Sequence, residues 1–533
     1  MDPERQPPLL RRRRGRRYIW LAGALVLAWG SAWWWMPAED DGATPLAGPV
    51  RIVPTGQKDS ALFGLGKLHR ANFTVSADEW EVLQRDTVAG RGGRGGGGFG
   101  GGGGLGGMMV GLDPMDDDDN DYVRESDGRQ IHRGGGFGGL FPWVRGDLQA
   151  GDALLPNVGL RYKGNASYSA SQNQLRRNLK VKTDFFGKAP GLEGEKTLDF
   201  NAGALDSSRI RESLSYAAFR AAGVPAPRTA YVEVTLTVPQ LYDKEYVGLY
   251  TLVEQVNKSF AKEFLPGKTG LLLKPEGVSG GITYYGEDWS AYTATYRPDR
   301  EATPEEARRV IDFARLVVRA DDTEFHRELA AHLDVDEFLR YLAVNALLAN
   351  LDSYLNGRHN FFLYLNPENQ RIMFVPWDED LSLGGFGGRG GNSGAILDLS
   401  LLHPHSGQNR LIERTLAIPE YKERYLAIIR QLVATSFSKE ALLKTITGLE
   451  VVTRDALARE TRAMQIRGES PGTIGFGGMI GRGVSPRTFV EQRLASVQRQ
   501  LDGKSDGTIP SGFPGGGGRG GGGFPGQGRG RGN

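Results

Sequence analysis

The residues best equipped for chemistry lie between 350 and 384. Asp352, Asn356 and Asn360 precede the run Phe361-Phe-Leu-Tyr-Leu365. Asn366-Pro-Glu-Asn-Gln370 follows, then Ile372-Met-Phe-Val-Pro376, and Trp377-Asp-Glu-Asp380 closes the stretch. A helix is expected to end near Leu351, with a polar loop after it and two strands around the Pro/Asn turn. An antiparallel hairpin returns Asp378 and Asp380 to the end where Asp352, Asn356 and Asn360 begin. Carboxylates and amide oxygens gathered in that way suit Mg²⁺ held on phosphates, with one carboxylate left to orient an attacking hydroxyl. Taken singly, each of these residues reads equally well as a loop residue or helix cap; the convergence carries the chemistry.

Protein kinases place a catalytic Asp, an Asn, a strand pair and a metal-binding Asp in the same order. The groups that would complete such a site come from upstream. Lys180 and Lys182 are two apart, so on a strand they share one face while Leu179 and Val181 take the other. One lysine suits the α- and β-phosphates and a helix carboxylate, Glu212 being the natural partner; a solvated strand face is the alternative. Lys163-Gly164 reads as a turn whose backbone N–H groups approach phosphate, without a Walker pattern. Glu254 ends a strand, where it either lines an adenine-binding hinge or braces the two halves. His403 and His405 lack a third ligand and read as structural. Asn72-Phe-Thr and Asn165-Ala-Ser fit the glycosylation pattern.

The positioning elements follow from periodicity. Residues 72–84 read as a strand and a short helix, and 147–162 and 179–185 alternate like strands. Residues 231–238 and 246–253 form a hairpin. A helix opens at 206–212 with Asp206 as N-cap and stops at Gly223. Residues 304–319 and 335–351 are helical by period, and 404–501 mostly helical. A β-rich first half followed by a helical second half is the α+β pattern.

The segments Val158-Gly-Leu-Arg-Tyr-Lys-Gly-Asn-Ala-Ser167, Leu179-Lys-Val-Lys182, 206–212, Gly223-Val-Pro-Ala-Pro-Arg228, Gly248-Leu-Tyr-Thr-Leu-Val-Glu254, Leu273-Lys-Pro275, Asn356-Gly-Arg-His-Asn360 and Trp377-Asp-Glu-Asp380 stand in one order. Together they resemble the CotH (spore coat protein H) kinase family over about 140–500. The resemblance implies an atypical protein-kinase-like fold, secreted or at the surface, that transfers the γ-phosphate of ATP to Ser or Thr of a protein. In that reading Asp352 is catalytic, and Asp378, Asp380, Asn360 and Asn356 serve Mg²⁺ (or Mn²⁺). Lys180, Lys182, Glu212 and Glu254 serve ATP. Glu379 departs from the family pattern, which expects an apolar or neutral residue there. A non-catalytic coat protein that keeps the scaffold is the competing reading, and phosphorylation of a sugar or other small molecule is another.

Composition bounds the rest. The 533 residues carry 65 Lys and Arg against 63 Asp and Glu, a net charge of +2, so no nucleic-acid partner is expected. There are no cysteines, which excludes disulfides, thiol nucleophiles and cysteine-bound zinc. Residues 1–17 are basic and 18–36 are uncharged and apolar, close to the length of a membrane-spanning helix; a cleaved signal peptide is the alternative. Either way, 37–533 is expected outside the cytoplasm, facing a protein substrate at the cell surface. Residues 37–66 read as a linker and 67–502 as the kinase-like domain. The 77 glycines, roughly double the usual share near 7%, concentrate in a disordered insertion at 88–140 and a tail at 503–533. The aspartates at 113–121 lack the EF-hand glycine and glutamate, which argues against Ca²⁺.

Overall fold

The computed structural model describes residues 50–85, 122–124, 129–133, 140–164, 166–275, 281–356, 359–385, 393–470 and 483–510, all within the unit spanning 42–533. The apolar run at 18–36, the aspartates at 113–121, Asn165 and residues 511–533 lie outside them. No helix among the described residues is long and apolar enough to cross a membrane.

In chain order the strands are β1 (Leu68–Val75), β2 (Tyr122–Arg124), β3 (Gln130–Arg133), β4 (Leu140–Pro142), β5 (Val144–Ala150), β6 (Ala153–Tyr162), β7 (Leu179–Lys182), β8 (Thr197–Asn201), β9 (Thr229–Val238), β10 (Tyr242–Val253), β11 (Leu271–Leu273), β12 (Phe361–Leu365) and β13 (Ile372–Pro376). The helices are α1 (Ala77–Gln84), α2 (Ala166–Ser171), α3 (Arg211–Ala221), α4 (Lys258–Phe264), α5 (Ser290–Tyr296), α6 (Pro304–Arg319), α7 (Asp322–His332), α8 (Val335–Leu348), α9 (Ser393–Leu397), α10 (Arg410–Ala417), α11 (Pro419–Ala434), α12 (Lys439–Ile466) and α13 (Pro486–Leu501). The β-rich part comes first and the helical part second, so the chain is α+β.

Seven of the described strands close into a barrel in the order β1-β5-β6-β7-β8-β10-β9. The parallel pairing of β1 with β9 shuts it; its other neighbours are antiparallel. Strict alternation sends Val158, Leu160, Val181, Leu198 and Phe200 into the barrel core. Phe73 meets Phe200 edge-on at 5.4 Å. The intervening residues Arg161, Lys180 and Asp199 therefore point outward, yet all three are buried. The expected hairpin over 231–253 is present, the strand-like stretch at 147–162 falls in the antiparallel pair β5–β6, and the strand at 179–185 stops at Lys182.

A second core holds the helices and the sheet β11-β12-β13. Its centre is α8, buried on nearly every side, as an all-round apolar helix must be. Asp334 caps α8, and Thr303 with Glu306 forms a capping box on α6 behind Pro304.

Four boundaries differ from the sequence reading. The insertion at 88–140 contains β2 and β3 and the start of β4, because Ile131 and Phe141 bring enough apolar surface to pack; Phe141 meets Tyr168 at 5.0 Å. Residues 50–66 are no free linker: Leu62 and Phe63 enter the core, and Thr55 N–H donates to Arg220 O at 3.0 Å. The tail starts later than 503, since Ser400 N–H donates to Thr508 O at 2.9 Å. The helix after Asp206 begins only at Arg211, and Asp206 caps it from outside by accepting Arg211 N–H at 3.0 Å.

Glu337 in the first turn of α8 gives a test of this core. Burial pushes its carboxyl from 4.5 up to about 8, although Phe374 N–H donates to it at 2.9 Å. Between those values the unfolded chain has lost the proton and the folded chain keeps it, so the folded state loses stability as pH rises. Glu337→Gln should therefore raise the melting temperature at pH 8 and leave it nearly unchanged near pH 4.5. Melting curves across that range check it; a uniform shift at all pH values would contradict the assignment.

Candidate functional site

The hairpin β12–β13 pairs Phe361 with Pro376, and Trp377 N–H donates to Asn360 O at 3.3 Å. The loop carrying Asp352 and the segment carrying Asp378 and Asp380 therefore meet at one end, as an antiparallel return requires. The loop leaves α8 through Ala349, which is left-handed at φ 49°, and Arg493 from α13 donates to Ala346 O at 2.8 Å near that end. Asn350, fully buried, accepts Asp352 N–H at 2.9 Å and donates to Glu379 Oε2 at 2.8 Å. His359 Nε2 lies 3.1 Å from Asp352 Oδ1. Asn360 Nδ2 donates to Asp352 O at 2.6 Å and to its Oδ2 at 3.3 Å. Both Asp352 oxygens are thus held from one side of the loop.

The other walls come from α3 and the barrel. Asp378 N–H donates to the buried Tyr216 hydroxyl at 3.0 Å, and Ser215 and Ser382 share a hydrogen bond at 2.7 Å. On the outward barrel face Lys163 lies 3.0 Å and Lys180 3.8 Å from Asp199 Oδ1, while Asp199 Oδ2 is buried with no hydrogen-bond partner among the described residues. Asn360 and Asp378 are left-handed at φ 63° and 53°, as is Leu383 at 51°. Such conformations cost about 1–3 kcal/mol each and persist where the surroundings over-determine them, often at functional sites.

Charge crowding dominates the electrostatics. Burial raises the Asp378 carboxyl above the usual range and Asp352 raises it further, while Lys163, His359 and Lys274 pull it back. Asp380 is pushed well above its ordinary value by burial, then by Asp378, Glu212, Asp352 and Asp206. Glu379 rises to about 8 by burial, against the Asn350 hydrogen bond. Glu212 also rises to about 8, by burial and then Asp378, against Asn201 and Lys163. Like charges this close cannot all ionise unless a cation joins them. Their oxygen donors suit a hard cation such as Mg²⁺ or Mn²⁺. Among the described residues no three acidic or histidine side chains converge on one point.

A family model described as CotH kinase protein matches residues 160–479, more than half of the chain, including Lys163, Asp199, Glu212, Asp352 and the segment 378–380. The chain belongs to the CotH kinase family. It is similar to inner spore coat protein H of Bacillus subtilis (strain 168), at 24% identity over 206 residues, 36% of this chain and 51% of that protein. The chain thus spans about half the length of the curated relative it matches.

Within this CotH domain the expected site residues separate. Asp352, Asn360, Asp378 and Asp380 come together. Asn356 stands in the next turn, its amide oxygen accepting from Ser406 Oγ. Lys180 and Lys182 share a face, opposite Asp199 and Thr197, but differ in depth: Lys180 is buried and Lys182 partly exposed. The carboxylate brought to Lys180 is Asp199. Glu212 instead accepts Asn201 Nδ2 on both oxygens, at 3.1 and 3.0 Å, and lies against Asp378, because the end of β8 carries Asn201 between it and the lysines. Glu254 resolves to bracing: Arg228 Nε donates to both its oxygens at 3.1 Å, and Arg228 N–H adds a third bond at 2.9 Å. Asn72 is tied into the barrel by Thr74 and Thr235, a poor place for a glycan. His405 is tied to Gly407 O at 3.1 Å.

Sequence reading gave no role to Asp199, Asn350, His359 or Lys274. Asp199 and Lys274 had a signal: each is a charge set in or directly after a buried apolar strand, Leu198-Asp-Phe200 and Leu271-Leu-Leu-Lys274, and a charge there needs a partner. Asn350 and His359 are ordinary loop residues by sequence.

The Glu254 assignment is testable. Glu254→Gln leaves the buried Arg228 only Glu263, 3.4 Å away, as a carboxylate partner and should lower stability by about 1–3 kcal/mol, leaving nucleotide affinity of the folded protein unchanged. Urea titration and calorimetry read the two; lost affinity at parental stability would return Glu254 to the nucleotide.

Proposed function

We propose that this CotH-family protein is a kinase that transfers the γ-phosphate of ATP to Ser or Thr of a secreted or surface protein. The observation that carries the reading is Asp352, fixed by His359 and Asn360 beside Asp378 in one charge-crowded cleft. Bound Mg·ATP supplies the γ-phosphoryl group and leaves as ADP. Asp352 accepts the hydroxyl proton of the acceptor as its oxygen joins phosphorus, the role of a general base. His359 and Asn360 keep that carboxylate aimed. Asp378 and Asp380, both partly open to solvent, hold the cation. Asn360 contributes its amide oxygen, since its nitrogen is spent on Asp352. Lys163 and Lys180, set by Asp199, take the phosphates. The basic 1–17 and apolar 18–36 support export with the membrane as anchor. The relative's name supports a coat or surface setting.

A non-catalytic coat scaffold is the second reading. The absence of three converging acidic ligands among the described residues favours it.

One pair of variants separates the two. Asp378→Ala should abolish Mg²⁺-dependent nucleotide binding and transfer together. Asp352→Asn keeps the shape and loses the charge, so it should spare binding and slow transfer by roughly 10²-fold or more. Calorimetry with Mg·ATP and label transfer from γ-labelled ATP, with mass spectrometry of the acceptor, read both. Transfer at the parental rate in both variants would leave the scaffold reading.

A further inference from the structure

Arg493 on α13 is a fully buried cation that spends its guanidinium on main-chain carbonyls. Nη1 donates to Leu399 O at 2.7 Å and to Leu397 O at 3.3 Å, and Nη2 donates to Ala346 O at 2.8 Å. Burial pulls its pKa down to about 10, so it stays charged at neutral pH. Arginine suits this place because its planar fork reaches acceptors in two directions at once. The two ends of the tie differ. The segment 397–401 is held to α13 twice more, by Ser496 Oγ donating to Asp398 Oδ1 at 2.6 Å and by Gln500 Nε2 donating to Leu399 O at 3.1 Å. Among the described residues, Arg493 is the hydrogen bond from α13 to α8.

Ala346 lies in the last turn of α8, where the carbonyls have no ordinary helical partner. Ala349 closes that turn in the left-handed region, with φ 49° and ψ 43°. Its N–H donates to Ala346 O at 3.2 Å, and Asn350 N–H donates to Asn345 O at 3.3 Å. A glycine normally makes this turn, because a Cβ is crowded there. Made by alanine, it needs support from outside. Arg493 supplies it at Ala346 O, with a positive charge that a helix C-terminus favours, and Leu383 N–H supplies it at Leu348 O, at 2.9 Å. Asp352 follows three residues after Ala349, its N–H held by the Asn350 side chain. The direction in which Asp352 leaves α8 is therefore set at this turn. We propose that Arg493 is a positioning residue for Asp352, acting from α13 through the end of α8. This role deepens the kinase reading and rests on it. The C-terminal helix α13 then aims the base, and any change that moves α13 moves Asp352.

The test uses the full chain with Arg493→Lys, which keeps the charge but cannot fork between Leu399 O and Ala346 O. Hydrogen exchange read by mass spectrometry, without nucleotide, should quicken about tenfold over 346–356, the scale of one lost charge-assisted hydrogen bond, and stay unchanged over the hairpin 361–376. Transfer from γ-labelled ATP should lose about tenfold in kcat with KM for ATP nearly unchanged. Adding Ala349→Gly to Arg493→Lys should restore most of both, since glycine takes the left-handed turn unaided. A merely structural arginine would quicken exchange across the whole core, leave kcat of the folded protein at the parental value and gain nothing from Ala349→Gly. Unchanged exchange over 346–356, or an equal rise in the hairpin, overturns the positioning role. If the parent transfers phosphate and Arg493→Lys keeps its kcat, that role falls and the kinase reading stands. If the localised exchange and its rescue appear in a parent that transfers nothing, Arg493 still sets the loop and the kinase reading falls. Should Arg493→Lys fail to fold, the double variant is read against Ala349→Gly by the same two measurements. Loss of folding in the double variant too makes Arg493 a packing residue and overturns the positioning role.

Discussion

The structure depends on holding together carboxylates that repel one another. Glu212 from α3 and Asp378, Glu379 and Asp380 from the end of β13 all have raised proton affinity, first by burial and then by the charges around them, among them Asp378 itself and Asp352 from the loop after α8. Hydrophobic packing alone would let such a group drift apart or stay protonated. Neutral partners prevent the first outcome: Asn201 on Glu212, Asn350 on Glu379, and the Tyr216 hydroxyl on the Asp378 backbone. The second outcome is partly met by cations at the margin, Lys163, His359 and Lys274. A cluster poised between protonation and cation binding couples any metal it takes to proton release.

The two halves carry opposite signs at their shared boundary. The outward face of β6–β8 offers Lys163 and Lys180 around one aspartate, and the helical half offers the acids. Keeping those faces in register falls partly to Glu460 on the long helix α12. It accepts Leu249 N–H at 2.8 Å and Arg209 Nη2 at 2.8 Å, just ahead of α3. The neighbouring Gly248, at φ 150°, lets the helix approach: a Cβ there would lie 2.6 Å from Glu460 Oε2. A C-terminal helix therefore fixes the barrel against the helix that carries Glu212.

Much of this was legible in the residue pattern. The β-rich and helical halves, the β9–β10 hairpin and the limits of α6 follow from alternation, caps and Pro placement, all local signals. The convergence of Asp352 with Asp378 was legible because a hairpin with a short turn has one possible return. The pairing of Lys180 was not. Asp199 and Glu212 are both acids downstream of the lysine, and only barrel closure decides which one faces it. Glu254 and Arg228 were opaque for the same reason, being partners across the β9–β10 pair. The packed stretch at 50–66 was missed because Leu62 and Phe63 are two isolated apolar residues with no period, and the strands within 88–140 because glycine and aspartate dominate their surroundings.

Glu379 shows how an added acid can leave a metal site intact. By composition it makes the segment after β13 triply acidic and departs from the family pattern. In the fold the three residues alternate: Asp378 and Asp380 keep contact with solvent, while Glu379 is fully buried. One of its oxygens accepts from Asn350, so it links the loop that leaves α8 to the hairpin end. With its carboxyl raised to about 8, it is mostly protonated near neutral pH and brings a hydrogen-bonding group rather than a third formal charge. The position is thus filled by a neutral residue in effect, as the family pattern asks, and the open face of the cleft keeps two aspartates rather than three acids.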